Sequence, residues 1–346
     1  MAENRIGERT LRFLSRPRIV SSGSVVSTTE GNGPIGGAFD MVLADDTWGE
    51  DSFEKSERKM FEAAVRIGLD KAGLSAFELD CLLGGDLLNQ IVTANFAARQ
   101  LNVPFLGLYG ACSTMAESLL VGSVLIDGGY ADTAACCASS HFSTAERQYR
   151  YPLEMGTTST PTAQRTVTGA GSVLLASELL GEDAPFTRIC TTGATIGRVV
   201  DLGISDASNM GAAMAPAAAD TILTHLSDTG RSAEEYDRIV TGDLGSFGTK
   251  MLYSLLKDKG TDITGRHIDC GNIIFSHDQR VNCGGSGCGC SAVVLASHLL
   301  PMMEQNGFQR MLFLATGALL SPNSSLQGDS IPGIAHAVAI ERVQKA

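Results

Sequence analysis

The sequence predicts an α/β protein made of two copies of one half. Two observations predict it. Apolar runs of strand length alternate with stretches whose apolar residues fall at helical spacing. A segment also recurs at an offset of 157 residues: Gly73-Leu-Ser-Ala-Phe-Glu-Leu-Asp80 returns as Gly230-Arg-Ser-Ala-Glu-Glu-Tyr-Asp237. The match extends from Gly85-Asp86-Leu87 to Gly242-Asp243-Leu244, giving eight identities in fifteen residues. A recurrence of this kind marks a duplicated structural unit. The length of 346 residues suits two such units. It also buries a core without help from disulfides or metal.

The elements follow in order. A first strand is expected over Ile19 to Val26. A long helix from Glu54 to Lys71 carries Phe61, Ala64, Val65 and Leu69 on one face. Its counterpart runs from Ala213 to Ser227. Gly73 and Gly230 stand where a C-cap glycine ends a helix. The Ser-Ala-x-Glu run after each is a capping-box pattern. Short apolar runs at Cys81-Leu82-Leu83 and Ile239-Val240 read as buried parallel strands. Helices are expected next, over Val92 to Gln100 and Thr249 to Lys257. The first half continues with a strand at Phe105 to Leu108, a helix from Ser113 to Ile126, and strands at Thr133 to Ala138 and Gly171 to Ser177. The second half offers a glycine-rich turn at Cys283 to Cys290 and a helix from Ser291 to Leu300. Strands follow at Met311 to Ala315 and Ala335 to Ile340. This alternation points to mostly parallel sheets. Residues Tyr149 to Thr166 lack periodicity and read as a long insertion, the kind of loop that carries function.

Composition narrows the function classes. Apolar residues make up 44% and charged residues 18%, which excludes disorder. The net charge of −12 counts against nucleic acid. The first residues, MAENRIGERTLRF, contain no apolar signal core, and no run of 18 apolar residues occurs. With nine cysteines, an odd number, the expectation is a soluble protein with free thiols from a reducing compartment. Arg5, Arg9, Arg12, Arg16 and Arg18 crowd the start of an acidic chain. They read as an exposed leader, or as a membrane or partner contact.

One cysteine stands out. Gly110-Ala111-Cys112-Ser113-Thr114 joins an apolar strand to a helix. A thiol at a helix N-terminus meets free N–H groups and the positive end of the dipole, which lower its pKa. That is the setting of a nucleophile or an anion pocket. A buried structural thiol is the competing reading. Cys136 and Cys137 read as core. Cys283, Cys288 and Cys290 do not match the paired spacing of a zinc site.

Duplicated halves with a cysteine opening the third helix resemble the thiolase superfamily, including the ketoacyl-synthase III-like condensing enzymes. The resemblance implies a five-layered αβαβα fold of two duplicated βαβαβ halves, divided at residues 1–180 and 181–346 with the insertion at about 149–166. It also implies a homodimer. The catalytic partners of that superfamily are missing. Gly242-Asp243-Leu244 stands where the synthases carry Pro-His-Gln. Gly284-Gly-Ser-Gly287 stands where a Gly-Asn or Gly-His-Pro is expected. A thiol without base or oxyanion donor is a poor Claisen catalyst.

A second resemblance covers nearly the whole chain. Glu30-Gly-Asn-Gly-Pro34, Gly85-Asp-Leu-Leu-Asn-Gln90 and Ser139-Ser-His-Phe-Ser-Thr-Ala-Glu-Arg-Gln-Tyr-Arg-Tyr-Pro152 are similar to the stage V sporulation protein AD family. So are Thr195-Ile-Gly-Arg-Val-Val-Asp-Leu-Gly203, Met214-Ala-Pro-Ala-Ala-Ala-Asp220 and Thr316-Gly-Ala-Leu-Leu-Ser-Pro322. The resemblance implies a non-catalytic protein that binds dipicolinic acid, free or as its calcium chelate. It implies a role in dipicolinate uptake into the developing spore and in germination. The implied place is the inner spore membrane, beside membrane-embedded proteins of the same operon. No cofactor is implied; calcium would enter only as the chelate.

A flat pyridine dicarboxylate needs an apolar slot, N–H donors and cations. The N-terminal turn Cys112, Ser113 and Thr114 could supply donors. Arg147, Arg150 and Arg198 could pair with carboxylates, each with a structural salt bridge as its alternative. His141 and Ser286 are placed near the same turn. Asp201 and Asp243, like Asp86, offer oxygen to calcium or cap local structure. The paired Gly-Asp-Leu turns suggest one structural duty inherited by duplication. The competing function is acyl transfer on Cys112.

Overall fold

The computed structural model describes residues 3–150, 159–178 and 184–343. The expected boundary at residue 180 and residues 151–158 of the expected insertion lie outside the described residues. The first half runs β1 (Arg18–Val26), α1 (Phe53–Ala72), β2 (Cys81–Gly85), α2 (Val92–Leu101), β3 (Phe105–Gly107), α3 (Thr114–Asp127), β4 (Thr133–Ser140), α4 (Phe142–Tyr149) and β5 (Gly169–Ala176). The second half runs β6 (Ile189–Thr195), α5 (Met210–Thr229), β7 (Arg238–Thr241), α6 (Gly245–Lys257), β8 (His267–Asp269), α7 (Cys288–Val294), β9 (Arg310–Ala318) and β10 (Gly333–Arg342).

Strand order repeats between the halves. The sheet path is β8-β7-β9-β10-β6-β1-β5-β4-β2-β3, so each half shows the order third, second, fourth, fifth, first. The two meet where β6 pairs antiparallel with β1 at Ile189–Ile19 and Cys190–Arg18. The expectation of mostly parallel sheets needs correction. Among these ten strands, pairing is parallel only where β2 meets β3 and β4, and where β7 meets β8 and β9. The fourth, fifth and first strands of each half are antiparallel. The reason shows at β9 and β10. Their link, residues 319–332, returns at the same end of the sheet, and no crossover helix turns the chain around.

Alternation along each strand sorts residues into three cores. In the first half, Leu82, Cys137 and Leu174 face α1, where Phe61, Ala64, Val65 and Leu69 form the expected apolar stripe. Their neighbours Leu83, Cys136 and Val173 face the other way. In the second half, Leu312, Leu314 and Ala337 face α5, while Phe313 and Val338 face inward. The two inward faces share one core with Met115 and Leu119 of α3 and Cys290 and Val293 of α7. The layers are therefore helices, sheet, α3 with α7, sheet, helices. Strands buried on both faces read as continuous apolar runs, which is what the sequence displays.

Local signals sit where the sequence placed them. Gly73 and Gly230 are left-handed caps with φ of 69° and 67°. Ser75 with Glu78, and Ser232 with Glu235, form capping boxes. Gly171 of β5 is required by contact: a Cβ there would lie 2.3 Å from the Ala292 carbonyl carbon of α7. The arginine-rich leader forms a hairpin, Arg5–Ile6 with Thr10–Arg12, whose second strand pairs with β6. Arg9 is tied to Asp220 at 2.7 Å. Among the described residues, no helix is long and apolar enough to cross a membrane.

Candidate functional site

Cys112 sits at the junction between the two halves. The turn before α3 brings Ala111 to a φ of 50°, and the Cys112 side chain is buried. The donors of Ser113 and Thr114 are already used. Ser113 N–H and Oγ both bond Gly110 O, at 3.0 and 2.7 Å. Thr114 N–H and Oγ1 bond Ala111 O, at 3.3 and 2.7 Å. Ser113 and Thr114 therefore hold the turn and are not among the residues lining the pocket in front of the thiol. This corrects the expectation that they offer donors to a ligand.

Asp243, just past the end of β7, stands beside the thiol. Its carboxylate also accepts from Thr316 Oγ1 at 2.7 Å, Ser286 Oγ at 3.1 Å and Gly287 N–H at 3.0 Å. Burial pushes the Asp243 carboxyl up to about 7. Burial, with the Asp243 charge beside it, pushes the Cys112 thiol well above its usual range. The expected thiolate is thus overturned: desolvation and a facing carboxylate outweigh the helix dipole.

The two Gly-Asp-Leu turns have diverged, against the expectation of one inherited duty. Asp86 caps α2, accepting from Leu88 N–H and Ala94 N–H at 2.8 Å each. In the second half Asp269 takes the equivalent task, accepting from Leu244 N–H at 2.8 Å and Gly245 N–H at 3.0 Å. That leaves Asp243 free to face Cys112.

In front of the thiol lies a narrow pocket of about 410 Å³, counting space open to solvent. Leu87, Ala145, Met210 and Leu320 supply apolar walls; Ser286, Thr166 and Cys112 supply polar atoms. Tyr109 and Tyr149 stand at its edge with hydroxyls 2.8 Å apart. Tyr149 donates to Leu87 O, so Tyr109 donates to Tyr149. Among the described residues Arg150 is the pocket's one cation. It contacts Glu146 at 3.3 Å and donates to Gln164 O at 3.1 Å. Burial raises the Glu146 carboxyl, against the pull of Arg150. The pocket is not strongly basic.

Of the candidates from the sequence, Cys112, Arg150 and Ser286 line this pocket and Asp243 stands behind it. The others lie elsewhere. His141 caps α4: its Nδ1 accepts from Ser143 N–H at 3.1 Å and its Nε2 donates to Asp46 O at 2.9 Å. With both nitrogens used, it has none left for a ligand. Arg147 pairs with Glu54 and Arg198 with Asp220, both on the surface. Asp201 accepts from Gly203 N–H at 2.8 Å in an exposed turn and from Ser330. Sequence reasoning missed Tyr109, Glu146 and Tyr149. The first adjoins Gly110, and the other two lie inside the Ser139–Pro152 stretch that carried the family resemblance, so both signals were at hand.

Comparison with known proteins agrees with this architecture. The fold is similar to 3-oxoacyl-[acyl-carrier-protein] synthase III of Aquifex aeolicus VF5, with a TM-score of 0.59 at 15% identity, covering 94% of this chain and 99% of that one. It is similar to human mitochondrial 3-ketoacyl-CoA thiolase, with a TM-score of 0.61 at 16% identity over 95% and 99% of the two chains. OleA of Xanthomonas campestris gives 0.62 at 15% identity over 97% and 100%. At such identities the likeness establishes a thiolase-like fold and nothing more. Sequence is more specific. Stage V sporulation protein AD of Bacillus subtilis (strain 168) is 46% identical over 336 residues, 97% of each protein. The family model described as stage V sporulation protein AD (SpoVAD) matches residues 7–341, and this chain belongs to that family of sporulation proteins.

Proposed function

We propose that the chain binds dipicolinic acid, free or as its calcium chelate, in the Cys112 pocket, and does so without catalysis. The observation that carries this reading is the pairing of an apolar slot with one partly buried arginine, Arg150. Apolar walls suit a flat ring, and a guanidinium suits its carboxylate. The hydroxyls of Tyr109, Thr166 and Ser286 complete a polar rim. The same pocket is poorly equipped for acyl transfer. Burial works against its thiolate, no histidine lines it among the described residues, and the N–H groups of Ser113 and Thr114 are spent.

In this reading the protein serves dipicolinate uptake into the developing spore and its release in germination. It works at the inner spore membrane beside membrane-embedded proteins of the same operon. It does so as a homodimer. Strand β3 supports the dimer: it is the last strand of the sheet path, and its Leu106 is 47% exposed.

Thermal unfolding tests the binding. Dipicolinate at 100 times its Kd should stabilise the fold by about 2.7 kcal/mol, and Arg150→Ala should remove that gain. Equal melting with and without millimolar ligand would sink the proposal. One observation favours a second reading, acyl transfer: the Asp243 carboxyl beside Cys112 could take the thiol proton. An acyl adduct on Cys112 after incubation with acyl-CoA, seen by mass spectrometry, would establish it.

A further inference from the structure

An anionic ligand faces a difficulty in reaching this pocket. The protein carries a net charge of −12, and the pocket holds one arginine that is already paired with Glu146. Next to it the surface offers what the pocket lacks. A cleft of about 810 Å³, counting space open to solvent, shares Glu146 and Arg150 with the pocket. Arg165 and Arg280 line it as well, so three guanidinium groups face one carboxylate.

The arginines are placed, not merely present. Arg165 lies over the Phe142 ring, its guanidinium carbon 4.1 Å from the ring centre. Its Nε is buried without an acceptor. Arg280 ends a short turn whose Ser276 and Gln279 form a capping box, and takes a φ of 56°. Gln279 anchors that turn by donating to Thr29 O at 2.6 Å. Among the described residues, neither Arg165 nor Arg280 has an acidic side chain within salt-bridge distance, whereas Arg9, Arg147 and Arg198 each have at least one.

We propose that this cleft is an outer binding site for dicarboxylate anions, from which the ligand passes to the Cys112 pocket by way of Arg150. The inference rests on the reading of that pocket as a dicarboxylate site. A focused positive field in a concave surface raises the local concentration of an anion and speeds its capture. Arg150, lining both spaces, can exchange one carboxylate for the other without a gap in charge compensation.

Two measurements separate the outer site from the inner one. Stopped-flow association of dipicolinate is compared for the wild type, Arg280→Ala and Arg280→Lys across ionic strength. Arg280→Ala should slow association by about three- to tenfold and flatten its salt dependence, with dissociation little changed. Arg280→Lys should retain most of the rate. Association unchanged by Arg280→Ala, with wild-type binding intact, would overturn the outer site and spare the pocket. Second, Ala145→Phe fills the inner pocket. Titrated with isophthalate, a folded Ala145→Phe protein should keep weak saturable binding that disappears in the Ala145→Phe/Arg280→Ala double variant. No binding by Ala145→Phe, or binding indifferent to Arg280, would count against the cleft whatever the pocket does.

Discussion

Asp243 of the second half stands beside Cys112 of the first across the junction of the two sheets, close enough for its charge to act on the thiol. The contact fixes the state of the thiol. A free cysteine titrates near pH 8.5 and reacts as its thiolate. Cys112 is held neutral by burial and by the facing carboxylate. Alkylation with iodoacetamide at pH 8, followed by mass spectrometry, should therefore modify Cys112 at least about tenfold more slowly than a free thiol. Asp243→Asn should quicken it. Rapid modification at pH 6.5 would mean an activated nucleophile.

The same carboxylate gathers donors from Thr316, Ser286 and Gly287. Asp243→Ala leaves them buried and unpaired. The expected loss is about 2–4 kcal/mol in urea unfolding. Asp243→Asn, which still accepts on one oxygen, should lose less. Equal stability of Asp243→Ala and wild type would contradict the network.

Buried acids set the pH dependence of stability. Asp243 and Glu30 are each raised to about 7, mainly by burial. Glu57 is raised too, by burial and then by the neighbouring Asp86 charge. The folded state thus holds protons that the unfolded chain gives up above about pH 4. Stability from these groups is complete below that value and is lost as pH rises through 7. The melting temperature should fall between pH 5 and pH 8, and Glu57→Gln should flatten the fall. A melting temperature that climbs over this range would reverse the assignment.

Duplication makes a paired expectation. Gly73 and Gly230 cap α1 and α5 in the same left-handed conformation, with open space around each absent Cβ. Gly73→Ala and Gly230→Ala should each cost about 1 kcal/mol, from backbone strain alone. Urea unfolding of the two variants checks this. A cost several times larger at one site would show that the halves are not equivalent there.

The repeat was legible because it rests on local signals. Capping boxes, C-cap glycines and the stripe Phe61-Ala64-Val65-Leu69 work within a few residues. The antiparallel return of β10 along β9 was not legible, because a link as long as residues 319–332, with its own short helix Pro322–Leu326, looks like a crossover before the chain folds. The site divides the same way. Cys112 could be found from its turn. The use of Ser113 and Thr114 as turn braces, and of His141 as a cap, depends on carbonyls and N–H groups that only the folded chain brings near. The split between Asp86 and Asp243 depends on Asp269, a residue that the repeat does not mark.

Arg150 and Glu146 should make ligand binding proton-linked. A carboxylate arriving at Arg150 displaces Glu146, whose carboxyl is already raised by burial. Binding then takes up a proton and strengthens as pH falls. Calorimetry in two buffers of different ionisation enthalpy should reveal that uptake, and Glu146→Gln should abolish it. Identical heats in both buffers for the wild type would exclude the exchange.

The central claim is that the Cys112 pocket binds a dicarboxylate and carries out no chemistry. Isothermal titration of the full chain with dipicolinate, with and without calcium, tests it most directly. The account predicts one saturable site per chain, lost in Arg150→Ala and retained in Cys112→Ala. No saturable heat at millimolar dipicolinate, or saturation that survives Arg150→Ala, would contradict it.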